Sequence, residues 1–284
     1  MKRGVGGNKR DAETSTIFPK KNRRSSGTIF LNKNRRGQVT IFIIIGVIIV
    51  AIAVLIYSFY PQIKSALGGE EKNPQSYIQT CLEDEINKVV EKISLSGGDL
   101  NPTFFSTFDG IKIKNLCYTS LYCTLCSVQE PQLSPHIEEE IKNNIEDKAD
   151  ECFDSLKTSY EKRGYDVNLK KEDINVKILP KKIATTLNYT VTITKSDTQR
   201  YDNFVIALNN NLYELLAIAN NIVELEANYG NSDVTIYMDL YPHLKVEKRL
   251  LSDGTKIYIA SDRATENKFE FASRSLVYSP SGYC

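Results

Sequence analysis

The chain has 284 residues, 41% of them hydrophobic, and carries 36 Lys/Arg against 35 Asp/Glu for a formal net charge of +1. That length accommodates one or two domains with a proper core. The near-neutral total excludes a chain that is basic or acidic throughout. It sums two opposed halves, because residues 1–36 hold eleven Lys/Arg and only Asp11 and Glu13 as acids.

In chain order, residues 1–36 come first. Rich in Gly, Ser, Asn, Lys and Arg, they cannot bury enough apolar surface to offset ordering and read as a disordered basic tail. Charges outside a membrane helix attract anionic lipid headgroups, at about 1 kcal/mol per Lys/Arg near the surface. The tail has no interleaved aromatics for base stacking, so nucleic acid is not an expected partner. Val39 to Tyr60 then run without a charge, preceded by Arg35-Arg36 and closed by Pro61. As a helix this run measures about 33 Å, enough to cross a hydrocarbon core of about 30 Å. The expected organisation is a transmembrane helix over 37–63 and a linker over 64–72. The basic side stays in the cytoplasm and the C-terminal domain lies outside the plasma membrane. A secretory signal peptide is the competing reading, but its apolar region is shorter and ends at small residues. Here the run ends in Tyr57, Phe59 and Tyr60.

Beyond the linker two helices are predicted. The first is capped by Asn73 with Pro74 at its first position, carries the stripe Ile78, Leu82, Ile86, Val89 and Ile93, and stops at Gly97-Gly98. The second enters at Ser134-Pro135 and keeps Ile137, Ile141, Ile145, Ala149, Cys152, Leu156 and Tyr160 on one face until Gly164. All six cysteines follow the apolar run, as disulfide bonding in an exported domain requires. Cys152 faces the core and Cys81 borders the matching stripe, so Cys81–Cys152 is the expected staple. Cys117, Cys123 and Cys126 fall in a stretch read as irregular, where local disulfide pairing is expected. Zinc is a distant second there, since the only histidines, His136 and His243, read as ordinary helix-start and turn residues.

After Gly164 the apolar period changes from helical to two. Strands are expected around 174–178, 187–193 and 204–208, then a helix over about 209–229 stopped by Gly230. A further strand with Val234, Ile236, Met238 and Leu240 follows, then a hairpin about Asp253-Gly254, then a strand starting at Phe269 and Phe271. Alternation of this kind belongs to antiparallel sheets with one wet face. The predicted fold is α+β, about three helices on a six- or seven-stranded mainly antiparallel sheet. Residues 73–164 form its helical, cysteine-containing subdomain and 165–284 its sheet-rich subdomain.

Catalytic signatures are missing: there is no phosphate loop, nucleophile elbow or His-Glu-x-x-His. No catalytic, cofactor-binding or metal-binding residue is therefore assigned. Glu83-Asp84-Glu85 and Glu138-Glu139-Glu140 read as solvated helix faces. Asn188-Tyr189-Thr190 is a candidate glycosylation site at Asn188.

Two resemblances add to this reading. Arg35-Arg36-Gly37-Gln38, followed by the apolar run, looks like the junction of archaeal type IV prepilins, which are cut after the Gly. Gly37-Gln38 is then a candidate processing junction, although Phe42 stands where that pattern has a Glu. More broadly, SYIQTCLEDEINKVVEKISLSGG, LCYTSLYC and SPHIEEEIKNNIEDKADECFDSLKTSYEKRGYDVNL resemble a family of single-span membrane proteins of small-genome, DPANN-type archaea. The likeness runs through TVTITKSDTQRYDNFVIAL and LYPHLKVEKRLLSDGTKIYIASDR. It implies an archaeal envelope protein with an external domain and carries no activity. The expected function is a membrane-anchored structural or interaction protein contacting other envelope proteins. Two alternatives stay open: a pilin-like filament subunit, and an envelope hydrolase using a carboxylate pair.

Overall fold

The computed structural model describes residues 43–51 and 73–277. The tail 1–36, the linker 64–72, the Gly37-Gln38 junction and most of the expected span 37–63 lie outside the described residues. Residues 43–51 form a helix, α1, that exposes its apolar side chains along its length. Among the described residues no helix is long and apolar enough to cross a membrane.

Residues 71–284 make one compact unit. It starts with α2 (Pro74–Leu95), where the Asn73 side chain accepts from the Gln75 amide and Pro74 takes the first turn as expected. Next come β1 (Phe105–Phe108), β2 (Ile111–Tyr118) and β3 (Ser127–Val128), then α3 (Leu133–Glu161). The expected stripes are the buried ones: Ile78, Leu82, Ile86, Val89 and Ile93 on α2, Ile137 to Tyr160 on α3. An isoleucine so buried stabilises by about 1.5–3 kcal/mol relative to exposure.

Four strands follow, β4 (Asp166–Lys170), β5 (Ile174–Leu179), β6 (Lys182–Thr194) and β7 (Thr198–Asn209). β6 is the spine of a four-stranded antiparallel sheet, with β7 along one edge and β5 then β4 along the other. Its alternate residues Ile183, Thr185, Leu187, Tyr189, Val191 and Ile193 are buried, while Thr186, Thr190, Thr192 and Thr194 on the other face are half-buried. Then come α4 (Leu212–Tyr229), α5 (Thr235–Leu240), β8 (Leu244–Leu250), β9 (Lys256–Asp262) and β10 (Lys268–Arg274). A six-stranded sheet runs β1-β2-β10-β9-β8, with β3 beside β2.

Two expectations are corrected. Two sheets replace one, and β2 pairs parallel with β10, so the larger sheet is mixed. The alternation of a strand tells which side is buried; it does not tell which strand lies beside it. The helical subdomain 73–164 and the sheet-rich subdomain 165–284 share one core cluster, with residues of α2, α3, α4 and both sheets. α2 packs on both β7 and β10, so the helices join the sheets. The strand expected at 234–240 is helix α5. Asp233 accepts from both the amide and the hydroxyl of Thr235 and starts the turn. Only Tyr237 of α5 is then buried, and Ile236 and Leu240 point outward. Six residues are too few for either period to dominate, and here the turn at Asp233 leads into a helix.

Candidate functional site

The α2 stop does more than end a helix. Gly97 and Gly98 have φ of +80° and +104°, and a Cβ at Gly97 would lie 2.9 Å from the Lys114 backbone nitrogen. Only glycine allows that approach, and the Lys114 amide donates to Ser96 O at 2.9 Å across it. Gly98 sits equally close to Leu133 and Ile137 at the start of α3. The loop after α2, the middle of β2, the loop before α3 and the first turns of α3 are thereby brought to one point.

Five polar side chains converge there: Asp99, Lys114, Glu130, His136 and Glu140. Lys114 Nζ lies 3.1 Å from Asp99 Oδ1, from Glu130 Oε2 and from His136 Nε2. His136 Nε2 also meets Asp99 Oδ1, and its Nδ1 faces Glu130 Oε2 at 3.6 Å. Glu140, one turn further along α3, accepts from the Leu100 amide at 3.3 Å. One ligand atom each from Asp99, His136 and Glu140 can be chosen so that all three lie within 4.8 Å of one another. His136 is 28% exposed and Asp99 15%, so the cluster is half-buried with an opening to solvent at the imidazole. It offers lone pairs to a cation.

The residues singled out by sequence fall elsewhere. Cys81 and Cys152 form the expected disulfide between α2 and α3, with Cα atoms 6.1 Å apart. Cys117 on β2 bonds Cys126, and Cys123 is also disulfide-bonded, so these thiols cannot ligate zinc. The stapled loop between them is ordered by a strand at each end and exposes Leu121 (65%), Tyr122 (51%) and Leu125. Asn188 is half-buried on the threonine face of β6, at a bulge where it and Tyr189 oppose Asn203. Glu138, read as a solvated residue, accepts the Ile178 amide and pairs with Lys177, which joins α3 to β5. His136 was read as an ordinary helix start; the visible hint of its neighbourhood is Glu140 four residues on, a spacing that puts both on one helix face. Nothing in the sequence points to Asp99, Lys114 or Glu130.

Two carboxylates line a groove of about 550 Å³ formed by the turn of the β1–β2 hairpin and the outer face of β8, β9 and β10. Glu247 and Glu270 flank Ile259 across β8, β9 and β10. The Lys245 ammonium, then Arg249, hold the Glu247 carboxyl below its usual range, while burial pushes Glu270 up. Both oxygens of Glu247 are taken by cations, Lys245 at Oε1 and Arg249 at Oε2, which leaves it a poor base. Matched against family models, curated proteins and solved structures, the chain has no counterpart in any of the three.

Proposed function

We propose that this chain is a single-pass, membrane-tethered interaction protein of the archaeal cell envelope, whose external domain meets other envelope proteins through a cystine-stapled loop. One observation carries this reading: every described cysteine is in a disulfide, and the loop held by Cys117, Cys123 and Cys126 presents Leu121, Tyr122 and Leu125 to solvent. Disulfides persist where the surroundings are oxidising, which supports export. Fixing a loop covalently before it binds removes ordering cost, which suits apolar side chains kept exposed for a partner. The uncharged run Val39–Tyr60 with its basic flank supports the tether and its orientation. The bilayer and, at the basic tail, anionic headgroups are then the remaining partners.

The test uses intact cells producing the full chain. A membrane-impermeant maleimide should leave the domain unlabelled until reductant is added, and added protease should degrade it. A domain that is protease-protected, or that labels without reductant, would sink the proposal. Replacing Leu121 and Tyr122 with Asp and Ser should leave thermal stability within about 0.5 kcal/mol, as exposed sites do, while abolishing cross-links to envelope neighbours. Undiminished cross-linking would remove the loop from the reading. Sequencing the mature N-terminus separates the filament alternative, which needs a chain beginning at Gln38.

A further inference from the structure

We propose that Asp99, His136 and Glu140 are the ligands of a zinc-class divalent ion, with Glu130 orienting the imidazole and Lys114 competing with the metal for the same place. This goes beyond the interaction reading and does not depend on it.

His136 Nε2 has two neighbours with opposite demands. Lys114 Nζ, a donor, is 3.1 Å away, and the Asp99 carboxylate, an acceptor, touches the same nitrogen. A protonated Nε2 satisfies Asp99 and opposes the ammonium. A bare Nε2 satisfies the ammonium and opposes the carboxylate. A ring nitrogen cannot serve as donor and acceptor at once. The Lys114 ammonium meets both groups at 3.1 Å, and a divalent ion in its place would accept a lone pair from each. Nδ1 faces Glu130 at 3.6 Å, the side from which a carboxylate commonly takes the other N–H of a metal-bound histidine once the pair closes.

Charge leads to the same place. The cluster contains three carboxylates and one ammonium, so its formal charge with a neutral imidazole is negative by two, the complement of a divalent ion. The donor set decides the class: one imidazole with two carboxylates suits zinc-like ions, whereas calcium takes six to eight oxygens. Three protein ligands leave a zinc ion one coordination position for water or for a group from outside. The ion would tie two of the segments that Gly97 and Gly98 bring together, the loop after α2 through Asp99 and the first turns of α3 through His136 and Glu140.

The experiment uses the full chain, without a histidine tag and with disulfides intact, titrated with Zn²⁺ by calorimetry and with Co²⁺ by visible absorption. One equivalent is expected to bind, with Co²⁺ giving the d–d bands of an N/O-ligated site of low coordination number. His136→Ala should weaken binding at least 100-fold, and Glu140→Gln and Asp99→Asn at least 10-fold each. Lys114→Gln, which removes the competing ammonium, should tighten binding about 10-fold, and His243→Ala should change nothing. Circular dichroism checks that each variant is folded; if His136→Ala does not fold, Glu140→Gln and Lys114→Gln decide. No saturable binding by the wild-type chain and Lys114→Gln overturns the proposal. So does binding unchanged in Glu140→Gln, or preference for Ca²⁺ over Zn²⁺.

Discussion

Glu270 sits half-buried on the outer face of β10, with Ile259 beside it and, among the described residues, no hydrogen-bond partner for its carboxyl. Burial raises its pKa, Lys268 opposes that, and Asp109 and Glu247 add to it. A carboxyl raised in this way holds its proton more tightly folded than unfolded. Its contribution to stability is therefore complete below the unfolded value and is lost as pH rises through the folded one. Glu270→Gln removes the charge without changing shape. The variant should melt above the wild-type chain near pH 7, and the two should converge at pH about 3, below the ordinary glutamate value. Thermal melts at the two pH values check this, and an equal offset at both would show that the carboxyl is not the cause.

At the scale of elements, the two described cystines differ mainly in the length of chain they close. Cys81–Cys152 spans 71 residues and Cys117–Cys126 spans 9. In the chain-entropy model these loops correspond to about 4.4 and about 2.6 kcal/mol of unfolded-state constraint. The Cys81→Ala/Cys152→Ala pair should then lower the urea midpoint clearly more than Cys117→Ala/Cys126→Ala, both measured without reductant. The reverse order would mean that packing around Cys117 and Cys126, where the latter's sulfur lies 3.8 Å from Ser273 Oγ, outweighs loop closure.

The longer staple was readable because Cys152 continues a stripe with seven members and Cys81 flanks another, so helical period alone aims both. β2 was not readable in the same way. Its apolar residues Ile113, Leu116 and Cys117 break the alternation because it is buried on both faces, Ile113 joining Ile257 and Ala272 on the outer side. The polar cluster was hidden more deeply. Asp99 and His136 are separated by 37 residues, and what unites them is the missing Cβ of Gly97 against Lys114. In the sequence that glycine reads only as a helix stop.

At the scale of the whole molecule, the ties cross the 164/165 step that divides the sequence patterns. Tyr189 on β6 donates to Asp150 on α3 at 2.8 Å, and Glu138 on α3 holds β5. Glu226 on α4 is fully buried and is met by Lys256 and Tyr258 of β9 and by Ser273 of β10. Burial first, then Glu226, pushes the Tyr258 phenol far up, so it stays a donor to that carboxylate. Breaking a buried pair of this kind costs about 3–5 kcal/mol, because the charge left behind has no water to turn to. The Tyr189–Asp150 and Glu138–β5 ties make α3 depend on strands of the other half. The Glu226 cluster joins α4 to β9 and β10 within that half. Residues 71–284 should therefore unfold as one cooperative unit. With the full chain in detergent and disulfides intact, far-UV circular dichroism of the helices and fluorescence of the 16 tyrosines should give one shared midpoint in guanidinium. The calorimetric and van't Hoff enthalpies should agree. Two separated transitions, one following helix loss and the other sheet loss, would restore the boundary after residue 164 and with it a two-domain external region.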